Sequence, residues 1–91
     1  VDGCYIGDLL SWVMARALSG NVWLTVMGNV NAIAVAALTD VAGIVLAEEA
    51  ALDEAARARA ELQGIPVYSC PENLYETALK VAVQLGHTAH A

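Results

Sequence analysis

Between Arg16 and Asp40 the chain runs for twenty-three residues without one charged side chain. Such a run is either a membrane-crossing helix, which needs about 20 mostly apolar residues, or a set of short elements buried on several sides. Its interior decides between them. Met27-Gly28-Asn29-Val30-Asn31 combines a turn glycine with two amides, and Ser19-Gly20-Asn21 punctuates the run near its start. A spanning helix would carry both amides to mid-bilayer depth, where burial without partners is costly. Two short buried elements are the better reading. No basic stretch of the signal-peptide kind precedes the run. A start at Val1 rather than Met reads as a chain that has been cut or renumbered. The expectation is a cytoplasmic protein with no membrane partner.

Each half of the run has its own period. Val22-Trp23-Leu24-Thr25-Val26-Met27 is β-branched and aromatic, as a strand buried on both faces should be. Val30–Thr39 follows the Gly28-Asn29 turn as a helix. Gly43–Ala47 and Val67–Ser69 read as two more strands, the latter entered through Gly64-Ile65-Pro66. Ile6, Leu9, Leu10, Val13, Met14 and Ala17 fall at helical spacing and predict a first helix. A third spans about Leu52–Gln63, with Asp53 and Glu54 at its positive end. A fourth begins near Pro71 and carries the stripe Leu74, Tyr75, Ala78, Val81, Ala82 and Leu85. Four helices alternating with three strands predict an α/β fold with a parallel sheet in two or three layers. No repeat or linker interrupts the chain, so residues 1–91 form a single domain.

Composition narrows the partners. Ten acids against four bases give a net charge of −6. Arg16, Arg57, Arg59 and Lys80 are isolated, with no basic patch to neutralise phosphates, so no nucleic-acid partner is expected. Cys4 and Cys70 have no CxxC spacing and read as free thiols of a reducing compartment. Apolar residues make up 58% of the chain, with no Phe, so small side chains must pack tightly.

Val1-Asp2-Gly3-Cys4-Tyr5-Ile6-Gly7-Asp8-Leu9-Leu10-Ser11, the string Val22–Ala36, Gly64-Ile65-Pro66-Val67 and Tyr75-Glu76 together resemble the DRTGG domain. The resemblance covers nearly the whole chain. It lacks the family's first strand and its eponymous Asp-Arg pair, and Asp2 and Cys4 stand where Thr and Gly are commoner. It implies an architecture like the N-terminal domain of HPr kinase/phosphorylase. It also implies a regulatory or assembly module of bacterial type that forms homodimers, and it names no ligand or cofactor.

Open parallel sheets bind ligands beyond the carboxyl ends of their strands. Gly28, Asn29, Asn31, Glu48 and Ser69 should cluster there, at the ends of three consecutive strands. Gly28 would allow close backbone approach, and a helix starting at Asn29 or Val30 would offer N–H groups to a small anion. The plainer reading of the same residues is a turn glycine and an Asn N-cap. No GxGxxG or GxxxxGK[ST] occurs, so no cofactor is implied. Cys70, before a helix start, suits either a buried thiol or a nucleophile, and a nucleophile would need a base. The histidines, His87 and His90, fall beyond the Gly86 stop and read as a tail rather than a metal site. No catalytic set assembles, so a non-catalytic module is expected. A purely structural assembly domain is one alternative, and a small enzyme using Cys70 or the Asn29/Asn31 loop is another.

The apolar character of Val30–Thr39 nearly all round points to a second subunit. Ile33, Ala36 and Ala37 are candidate homodimer contacts. So is a stripe of the first helix, Tyr5, Leu9, Trp12 and Arg16, whose residue types suit interface hot spots.

Overall fold

Four short apolar runs, not three, pair into one sheet. The computed structural model describes residues 3–85. Within them lie β1 (Gly3–Ile6), α1 (Leu10–Arg16), β2 (Asn21–Thr25), α2 (Val30–Thr39), β3 (Gly43–Leu46), α3 (Glu54–Gln63), β4 (Val67–Ser69) and α4 (Leu74–Gln84). All neighbours are parallel, in the spatial order β1-β2-β3-β4. The expected α/β fold with helices against a parallel sheet is what the chain adopts.

β1 corrects the first expectation. Ile6 and Tyr5 belong to a strand, and α1 begins only at Leu10. Burial alternates along Gly3–Ile6, and the Gly7 N–H extends the pairing by donating to the Leu24 carbonyl at 3.2 Å. Over four residues the periods of two and 3.6 share too many positions to be told apart. Smaller shifts have local causes. Asp53 caps α3, which therefore starts at Glu54, and Asn73 caps α4, leaving Pro71 outside the helix.

The register sorts the side chains. Tyr5, Trp23, Ile44 and Val67 stand in one row, and Ile6, Leu24, Val45 and Tyr68 in the next, on the opposite face. The first row faces the main core, where Val13 of α1, Ala32, Ile33, Val35 and Ala36 of α2, and Ala56 and Ala60 of α3 close over Trp23 and Ile44. Three like-handed crossovers between successive neighbours put α1, α2 and α3 on that face. After β4 the chain turns back, and α4 packs on β1 and β2, where Leu24 is fully buried. Among the described residues no helix is long and apolar enough to cross a membrane.

Candidate functional site

β2, β3 and β4 end in register, with Thr25, Leu46 and Ser69 side by side. The loops that follow therefore leave the sheet at one end, and Gly28, Asn29, Asn31, Glu48 and Ser69 all belong to that end. The structure also shows what each is doing there.

Gly28 passes beneath the loop between β3 and α3. A Cβ at this position would lie 2.0 Å from the Ala51 carbonyl oxygen, and the Gly28 carbonyl accepts the Asp53 N–H at 2.9 Å. Its bare backbone serves the chain's own packing. Asn29 is the N-cap of α2, its Oδ1 accepting the Ala32 N–H at 2.9 Å. Asn31 is exposed on the first turn of α2, and Ser69 is exposed at the end of β4.

Glu48 and Glu49 are both in the left-handed region, with φ of 57° and 59°. That conformation is unfavourable for side chains other than Gly, Asn and Asp. It turns their N–H groups toward the loop after β4. Glu48 donates to the Glu72 carbonyl at 2.8 Å and Glu49 to the Cys70 carbonyl at 3.3 Å. Because α3 and α4 lie on opposite faces, the gap between the ends of β3 and β4 is where an open sheet forms its crevice. Here backbone hydrogen bonds tie the two loops together, and Glu48 and Glu49 themselves are exposed.

Beside that seam lies a polar group with Cys70 at its centre. The Cys70 thiol donates to Glu72 Oε1 at 3.1 Å. The Thr77 hydroxyl, which donates to the Asn73 carbonyl at 2.8 Å, lies 3.4 Å from the Cys70 sulfur. Lys80 forms an ion pair with Glu72 at the surface. The Lys80 contact first and the Cys70 thiol second hold the Glu72 carboxyl down to about 2. The same contact pushes the Lys80 ammonium up. Cys4 stands across the sheet in β1, with its thiol pushed up by desolvation. Both thiols are free. His87 and His90 lie outside the described residues. Among the described residues no three His, Cys, Asp or Glu side chains group as metal ligands would.

The sequence reading missed Asp8. Its Oδ1 accepts the Thr25 hydroxyl at 2.5 Å and the Val26 N–H at 3.0 Å, while Thr25 Oγ1 accepts the Met27 N–H at 3.2 Å. This clasp fixes the exit of β2 and so the start of α2. The signal was the Gly7-Asp8 turn, hidden by the helical reading of the same residues.

The proposed interface residues divide. Ile33 and Ala36 are buried inside the chain's own core, so they are unavailable to a partner. Ala37 is exposed. Tyr5 lies in β1 against the core rather than on a helical stripe with Trp12. Trp12 is 53% exposed, and the Arg16 guanidinium carbon sits 4.0 Å from its ring centroid. Comparison of the chain with protein-family models, curated proteins and solved structures finds no match.

Proposed function

We propose that this chain is a non-catalytic module that forms a homodimer through the outer face of α2, with Trp12 of α1 flanking the contact. The observation that carries this reading is the α2 surface turned away from the sheet. Val30, Ala34, Ala37 and Leu38 fall at i, i+4, i+7 and i+8, opposite the buried Ala32, Ile33, Val35 and Ala36. Leu38 is 73% exposed, and no charged residue occurs in the helix. A helix facing water normally carries charge on its outer side, and a contiguous apolar patch marks an interaction surface. Closed two-fold dimers are the commonest homo-oligomers. The resemblance to the DRTGG domain supports the same reading and adds a regulatory role in the cytoplasm.

Geometry lends less to an anionic ligand at the strand ends. Asn29 is engaged as a cap, Gly28 is filled over by Ala51, and Glu48 and Glu49 present negative charge to anything approaching. Of the two non-catalytic readings, assembly without a strand-end ligand is the better supported. Sedimentation equilibrium from micromolar concentration upward tests the assembly: the wild type should dimerise and Ala37→Glu should sediment as a folded monomer. A wild-type monomer throughout would refute it. Thermal melts with nucleotides and acyl phosphates test the strand ends, because a ligand that binds only the native state raises its stability. No shift is expected.

A further inference from the structure

The second face of the sheet is covered unevenly. α4 lies over β1 and β2, and toward β3 and β4 a cavity of about 450 Å³ opens between its C-terminal half and the sheet. Val45, Val81 and Leu85 wall it, Tyr68 lies at its β4 side, and Lys80 and Gln84 supply its polar side chains. The size is that of small-molecule sites, roughly 300–1,000 Å³, which are mostly apolar with a few polar groups. Among the described residues Lys80 is the one charged residue lining it, so charge complementarity calls for an anionic head on an apolar body.

We propose that this cavity binds a small amphipathic carboxylate, its hydrocarbon body against Val45, Val81 and Leu85 and its carboxylate on the Lys80 ammonium. Glu72 now occupies that ammonium, but the pair is at the surface, with the Lys80 side chain 65% exposed. Surface pairs contribute little to stability, and Glu72 has a second partner in the Cys70 thiol at 3.1 Å. Opening that exposed pair therefore costs little, and apolar contact with the walls favours the ligand. Its apolar walls are separate from the outer face of α2, Lys80 alone reaches the strand-end loops through Glu72, and the site does not depend on the dimer.

Calorimetric titration with decanoate, below the concentration at which it forms micelles, tests the proposal on the full chain. Saturable binding is expected, with decanol weaker by about tenfold, the scale of one charge-assisted hydrogen bond. Lys80→Met should bring decanoate down to the level of decanol. Val45→Trp, checked for folding by circular dichroism, should abolish both, and Val81→Trp fills the same space from the helix side if the first variant unfolds. Absence of saturable decanoate binding overturns the proposal, as does binding unchanged in Lys80→Met or in the filled variants. So does a dimer that Val45→Trp dissociates while decanoate fails to bind, since the cavity's occupant is then a second copy.

Discussion

α2 and α3 are each ten residues long and lie side by side on the same face of the sheet. They start alike: Asn29 and Asp53 each accept, through a side-chain oxygen, the N–H three residues on, at 2.9 and 2.8 Å. They are even tied together at these starts, through the Asp53 N–H and the Gly28 carbonyl. Their two sides differ in opposite ways. α3 turns Ala56 and Ala60 inward and shows Glu54, Arg57, Arg59 and Glu61 to water. α2 turns Ile33 and Val35 inward and shows Val30, Ala37 and Leu38. α2 packs against helices on both sides and α3 against one, and the proposed dimer contact would account for the uncharged outer face of α2.

The inward sides give the largest expected effect. Ile33 is fully buried at the centre of the core, so Ile33→Ala should cost about 2–5 kcal/mol, read by urea denaturation. The corresponding change in α3, Ala60→Gly, should cost about 1 kcal/mol, mostly through helix propensity. Equal costs would mean that α2 does not anchor the core more strongly than its neighbour.

The caps should be matched. Asn29→Ala and Asp53→Ala each remove one side-chain acceptor at a helix start and should each cost about 1 kcal/mol. A much larger loss at Asn29 would assign that residue a second task at the strand ends and revive the anion reading there.

The smallest expected effect lies away from both helices. The Lys80 contact holds the Glu72 carboxyl below its ordinary 4.5, down to about 2. A carboxyl with a lowered folded value contributes stability above its ordinary value, and that contribution disappears as the pH falls through about 2. Carbon-detected NMR should show the Glu72 midpoint there, and Lys80→Met should move it upward toward 4.5. A Glu72 midpoint already near 4.5 in the wild type would remove the ion pair.

Much of this architecture was legible in the residues, and what escaped has physical reasons. β2, β3 and β4 announce themselves as uncharged β-branched runs with turn residues between them. Gly64 and the Asn and Asp caps mark the helix ends. β1 escaped because Tyr5 and Ile6 also fit the helical spacing that continues through Leu9 and Val13. At the strand ends, sequence identified Gly28 and Asn29 as special. It did not show that Ala51, twenty-three positions on, fills the space above Gly28, since that contact is made only by the folded chain. The choice of Ile33 and Ala36 as surface failed for a related reason. A helix with no charged side carries no mark of which way it faces, and only the packing against Trp23 and Ile44 sets it.

Leu38 and Leu62 are the most exposed large apolar residues of the two helices, at 73% and 80%, and they make a matched pair. Light scattering on Leu38→Glu and Leu62→Glu at the same micromolar concentration compares the outer faces directly. Leu62→Glu should retain twice the mass of one chain, and Leu38→Glu should fall to the mass of one while keeping its circular dichroism spectrum. A dimer that survives Leu38→Glu, or that Leu62→Glu dissociates instead, would contradict the assignment of the outer face of α2 as the contact.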